Sequence, residues 1–291
     1  MGLLAAAGCG LGEGESVEPV TLTVTHDYGA EQELERSLAD LHESDTVMRV
    51  LDRSAMVETR YGGGFVQSIN GTEGERREGR LHDWFFYVNG VESSVGAADY
   101  PLRGGERIWW DHRDWTDAMH VPAVVGSFPE PFRNGYREAE EPATAVICRT
   151  AAALCTRVAR VLRGAGARVG RPAGPAIRVL VGPWAALRGD PVAAQIERGP
   201  QFSGVFADFL PTVSGPRLAG LTAEGVAARR FGPAAGLVAA TRRYDQPPVW
   251  LLTGVTRAGV RAAIATLSTP ELRDRYAVAS DGDLLIPLPL R

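Results

Sequence analysis

The chain has no lysine, only three cysteines and no long apolar run. Each shortage excludes something. Without about 18 consecutive apolar residues there is no candidate membrane-spanning helix. Cys148 and Cys155 in "VICRTAAALC" lack the further nearby ligands that a zinc site needs. The glycine-rich stretches lack phosphate-loop grammar. "YGGGF" (61–65) leads into a strand instead of a helix N-terminus. "GPWAALRGD" (182–190) has neither the extra glycines of a dinucleotide turn nor a P-loop lysine. The five histidines, at 26, 42, 82, 112 and 120, show no tight metal spacing. No serine elbow and no cysteine with an evident base stands out, and no carboxylate pair can be singled from 35 acids. "HDW" and "DHRDW" set acids beside histidines, an arrangement commoner on solvated surfaces than in acid–base catalysis. No enzyme, no metal, no cofactor and no nucleic-acid partner is expected.

What remains is a soluble-type composition with an uneven charge. Through Glu141 there are 26 acids and 12 arginines, a net of −14; beyond it there are 9 acids and 19 arginines, a net of +10. A length of 291 residues favours two domains, so the natural reading is an acidic domain joined to a basic one, which can attract each other or share an anionic partner.

The periodicities divide the chain accordingly. "PVTLTVTHDYG" (19–29) alternates as a strand does, and "DTVMRVLDRSA" (45–55) has helical spacing with Asp45 placed to cap. "GGGFVQSINGTEG" (62–74) and "DWFFYVNGVESSVGA" (83–97) each carry a strand and an Asn-Gly turn, and "GGERIWW" (104–110) a further strand. Residues 19–120 are therefore expected to be a β-rich α+β domain with one helix. Residues 121–142, dominated by Pro, Gly and acids, read as a linker with an aromatic segment through Phe128 and Phe132 expected, with Trp115, at the junction of the halves. From 143 to 291 strands and helices alternate, with a clear helix over 256–268 capped by Thr256 and a broken one over 184–199, which argues an α/β sandwich.

On a strand, Trp109 and Trp110 must point to opposite faces, and "WFFYVNG" repeats that pattern. A second face rich in aromatics and arginine suits either a flat ligand or a covering domain. The candidate ligand-binding residues on this reading are Trp84, Tyr87, Asn89, Trp110, His112 and Trp115, with Tyr61 and Gly63 in an adjoining loop. Asn89 would orient a ligand or simply turn the chain; His112 would ligate a metal centre within a bound molecule or simply lie on the surface. If Cys148 ends a strand and Cys155 starts a helix, the two are within bridging reach; a disulfide is favoured over two buried thiols.

The opening "MGLLAAAGCGLGEGES" resembles the end of a bacterial lipoprotein signal followed by a tether over residues 1–18, with Cys9 as the lipidated residue. The stretch from "DTVMRVLDRSA" through "IWWDHRDW", with its Gly-Phe-Val and Ile-Asn-Gly segments, resembles the transcobalamin-like C-terminal domain family, catalogued in bacteria as a domain of unknown function. The likeness covers about residues 19–116 and implies a β-grasp-like fold that closes over a ligand beside another domain. The animal carriers' helical barrel is absent here. Together these likenesses imply an extracytoplasmic, lipid-anchored binding protein, with a cobalamin-like ligand or a transporter subunit as partner. The alternative is a structural or protein-interaction module of the cell envelope without a small ligand.

Overall fold

The computed structural model describes residues 15–60, 64–213 and 215–291. Cys9, Tyr61 and Gly63 lie outside them.

The first unit contains β1 (Val20–His26), β2 (Glu31–Leu38), α1 (Val47–Asp52), β3 (Val57–Arg60), β4 (Phe65–Ile69), β5 (Thr72–Glu73), β6 (Glu75–Arg77), β7 (Arg80–Val88), β8 (Val91–Glu92) and β9 (Arg107–Asp114). Its main sheet runs β2-β1-β9-β7-β6, with β8 on β7 and β3-β4-β5 as a separate small sheet. The last strand lies parallel to the first, Thr21 opposite Arg107 through His26 opposite His112. A hairpin, one crossing helix and a parallel return strand make this β-grasp-like. Val20, Leu22 and Val24, alternating along β1, meet Val47, Val50 and Leu51 of α1, which recur at i, i+3 and i+4. The helix cap is Thr46, which accepts from the Arg49 amide at 3.4 Å. Asp45, the expected cap, instead accepts from His42 N and pairs with Arg53 at 3.1 Å. β2 carries no sequence signal because "EQELERSL" is exposed along most of its length. It forms because β1 offers an open edge and residues 27–29, all at positive φ, reverse the chain. Its charges suit an edge strand that must not recruit another chain.

The second unit contains β10 (Ala143–Cys148), α2 (Ala152–Gly164), β11 (Arg168–Val169), β12 (Ile177–Pro183), α3 (Trp184–Leu187), α4 (Pro200–Ser203), β13 (Ala207–Leu210), β14 (Arg217–Leu221), β15 (Ala227–Arg230), β16 (Gly236–Thr241), β17 (Val249–Gly254), α5 (Arg257–Thr266), β18 (Ala277–Asp281) and β19 (Leu284–Leu288). Seven strands run β11-β10-β12-β17-β16-β18-β19, the first four parallel and the rest antiparallel, and β13-β14-β15 form a second sheet. The whole chain is thus α+β. β16 and β17 are buried along their full lengths, as strands covered on both faces must be. On one face Val238, Ala240, Trp250 and Leu252 meet Val158 and Leu162 of α2 and Val260 and Ile264 of α5. On the other, Leu237, Ala239 and Leu251 join a core shared with α3, the three-stranded sheet and the first unit. Thr256 caps α5, accepting from Gly259 N at 3.3 Å. The broken helix shortens to α3 and a 3-10 turn, Ala193–Arg198, led in by Asp190, which accepts from Val192 N and Ala193 N.

Cys148 ends β10, Cys155 lies in the first turn of α2, and a disulfide joins them with Cα atoms 5.8 Å apart. The connecting segment 121–142 is packed. Val121 and Val124 enter the shared core, while Phe132 lies 4.9 Å and Phe128 6.1 Å, ring to ring, from Trp250. At Gly126 the chain passes so close to the stretch before β18 that a Cβ would stand 2.3 Å from the Arg275 amide nitrogen.

Candidate functional site at the seam of the two units

The two faces of the grasp sheet have different fates. From β9, Ile108 and Trp110 enter the first unit's own core, whereas Trp109 faces the second unit. There Trp109 and Tyr87, both fully buried, pack 5.6 Å apart, with Tyr276 edge-on to them at 5.3 and 5.7 Å. Tyr28 sits edge-on to Phe206 at 5.1 Å.

Polar groups are threaded through these rings. Asp111, fully buried, accepts from Thr25 Oγ1 (2.6 Å), Tyr276 OH (2.9 Å), Tyr28 N (3.0 Å) and Gly29 N (3.1 Å). Burial pushes its carboxyl above the usual range, and those hydrogen bonds pull it back. Arg113, also fully buried, lies 3.8 Å over the Phe85 ring and donates to the carbonyls of Ala118 and Met119, each at 2.8 Å. Such desolvated groups are tolerable only when partnered, and partnering fixes one arrangement of the two units. It also holds Tyr28 at φ 60°, which a bulky residue otherwise avoids.

The structure therefore reassigns several residues expected at a ligand. Tyr87 has no exposed surface and shares its hydroxyl with Tyr276 at 3.2 Å. Trp110 stacks on Phe86 at 4.8 Å inside the first unit. Asn89, at φ 54°, turns the chain; its side chain donates to Gly135 O (2.9 Å) and accepts from Arg107 N (2.8 Å). Trp115 is half-buried at the strand end, its amide bonded to Leu81 O at 2.8 Å. Burial claims Tyr87 and Trp110 because alternation obliges every second strand residue to face a layer that exists.

Trp84 and His112 do come together, at one end of the first face. Their rings are 5.0 Å apart, and His26 and His82 stand 5.8 and 5.9 Å from His112. His112 Nε2 donates to Glu73 O at 3.1 Å, and Trp84 Nε1 to Thr72 O at 2.9 Å. Burial holds His112 below the ordinary histidine range, with the neighbouring His26 and His82 adding to the effect against the Glu73 hydrogen bond. Among the described residues, no group of three or more His, Cys, Asp or Glu is placed to hold a metal ion.

Beside the seam a groove of about 480 Å³ opens between the units. Glu92 comes from β8, His120 from just before the connecting segment, Arg198 and Phe202 from the 193–203 region, and Arg242, Arg243 and Tyr244 from the β16–β17 connection. Glu92 pairs with His120 at 3.3 Å and raises its pKa. The Arg198 guanidinium lies 3.7 Å from the Phe202 centroid, and Arg242 pairs with Glu138 at 3.0 Å. Phe202 and Tyr244 are both exposed. Sequence reasoning missed this site because its walls come from distant stretches. The one local signal was "TRRYDQPP", an aromatic residue among arginines in a turn.

Residues 44–113 match a family model described as a domain of unknown function (DUF4430). The match runs from just before α1 nearly to the end of β9; it takes in β7, Trp84 and His112 and leaves out β1 and β2. A crystal structure of a candidate metal-binding protein from Ruminococcus gnavus ATCC 29149 is similar at 16% identity over 33% of this chain and 97% of that chain, with a TM-score of 0.27. No curated protein matches the chain. Glu92 lies inside the family segment, whereas the groove's aromatics and arginines lie outside it. What the arrangement offers chemically is recognition: rings for stacking, guanidiniums for anions, and hydrogen-bonding side chains at a junction of two units, where ligand sites concentrate.

Proposed function

We propose that the chain is an extracytoplasmic binding protein, anchored through a lipid on Cys9, whose small ligand enters the groove at the seam. The observation that carries this reading is that both units contribute to one groove bearing exposed rings and arginines, while the sheet's second-face aromatics are spent on holding the units together. The Cys148–Cys155 disulfide supports an oxidising compartment. The transcobalamin-like resemblance supports a grasp domain that works beside a second unit. An accessory role in uptake of a cobalamin-like or other cofactor follows from that resemblance. The groove's volume suits a drug-sized molecule, so a corrinoid would rest on its rim without being enclosed.

Titrating the full chain calorimetrically with corrinoids, tetrapyrroles and smaller aromatic ligands tests this. Binding should be saturable and should vanish in Ser94→Trp, which fills the groove. Binding that survives that change puts the site elsewhere, and no binding of any member sinks the small-ligand reading. Fatty-acid labelling in a bacterial host should mark the full-length chain and be lost in Cys9→Ser; an unlabelled wild-type chain removes the anchor.

A second reading, an envelope interaction module, is favoured by one feature. Between Glu141 and Asp190 there is no acid, and Arg157, Arg160 and Arg163 are exposed on α2. Retention on an anionic cell-wall polymer, without any small-molecule binding, would select it.

A further inference from the structure

Tyr244 is placed against the preference of its own backbone. It is 82% exposed and has φ 52°. It is the first central residue of a tight turn over 243–246, closed by Gln246 N donating to Arg243 O at 3.1 Å. A positive φ at that position favours glycine, and a bulky side chain there is disfavoured. Tyr28 is held at a similar φ by buried hydrogen bonds. Among the described residues Tyr244 has no comparable compensation: its ring reaches solvent at the groove, and the only charge over it is the Arg243 guanidinium, 5.6 Å from the centroid.

The rest of the groove supplies a complement. Phe202 offers a second exposed ring, 45% accessible, with the Arg198 guanidinium lying over it. Arg198 and Arg243 set two positive charges against the carboxylates of Glu92 and Asp245, while Arg242 is already paired with Glu138. Glu92 is already engaged by His120. Arginine forks match carboxylate and phosphate oxygens, and their planes stack on aromatic faces.

We propose that the groove takes a planar, anionic ligand: an aromatic or conjugated body stacked on Tyr244, with a carboxylate or phosphate held by Arg243 and Arg198. The strained turn is retained for that ring. This rests on the groove reading above and goes beyond it in naming the ligand's chemistry.

The test is calorimetric titration of the full chain with 2-naphthoate, 2-naphthyl phosphate, neutral 2-naphthalenemethanol, inorganic phosphate and cobalamin. One of the two planar anions should bind at one site per chain, at least about ten-fold more tightly than the neutral analogue or inorganic phosphate. Arg243→Gln and Tyr244→Gly should each weaken it about ten-fold. Tyr244→Gly should also melt no lower than the parent, because glycine suits the turn; a clear drop in its melting temperature would make the tyrosine structural and overturn the proposal. Equal affinity for the neutral analogue would overturn the anion requirement, and equal affinity for inorganic phosphate the planar one. Binding untouched by Tyr244→Gly would overturn the stacking. Cobalamin or neutral binding abolished by Ser94→Trp would leave the groove reading standing while this proposal fell; no binding by any probe would sink both.

Discussion

Each face of the grasp sheet holds a deeply buried acid on β9 or next to it, and the two are treated differently. On the first face Glu106, 1% exposed, accepts among the described residues only from Arg103 N at 2.9 Å, and its other oxygen has no hydrogen bond there. Burial pushes its pKa up to about 7. On the second face Asp111 is deeper, yet it gathers four donors from β1, the 27–29 turn and the second unit. The first face is an ordinary apolar core in which an acid is an imperfection; the second is an interface whose acid is the organising centre. A polar core specifies how two units meet, which apolar contact alone, being non-directional, does not.

The largest break should come from Asp111→Ala. It leaves four donors without their acceptor at the seam, a loss on the order of 4 kcal/mol. The two units should then melt in separate calorimetric transitions, and small-angle scattering should show a larger particle. A single transition at the parent temperature would mean that the apolar rings alone hold the seam. Trp110→Ala comes next, at about 3 kcal/mol for a cavity in the first face. Its damage should stay in the first unit, seen as faster amide exchange in α1 and β9 with the second unit protected as before. Faster exchange around β16 and β17 would erase the distinction between the faces.

The smallest effect sharpens the contrast by pH. The folded pKa of Glu106, about 7, exceeds its unfolded value of 4.5, so the folded state binds the extra proton between those values. Stability from this group is present below about 4.5, falls as pH rises and is gone above about 7. Glu106→Gln removes the term: little change at pH 4, and a gain on the order of 2 kcal/mol at pH 8. Equal melting shifts at both pH values would show that burial leaves this carboxyl titrating as it does in the unfolded chain.

Local patterns in the sequence determined a good deal. The alternation in β1, β7 and β9, the Asn-Gly turns, the Thr256 cap and the apolar runs of β16 and β17 specified strands and helices because their causes are short-range. The split of charge and the existence of two aromatic faces were equally legible. Only the tertiary structure decided which face was free. A period of two says that Trp109 and Trp110 diverge, but not that Tyr276, 167 residues beyond Trp109, comes back to cover one of them. The same holds for β2, whose charged sequence becomes a strand only because β1 pairs with it. It holds for the groove too, whose walls converge from 92 to 245. Long-range closure selects among locally allowed surfaces, and both the seam and the groove are products of that selection.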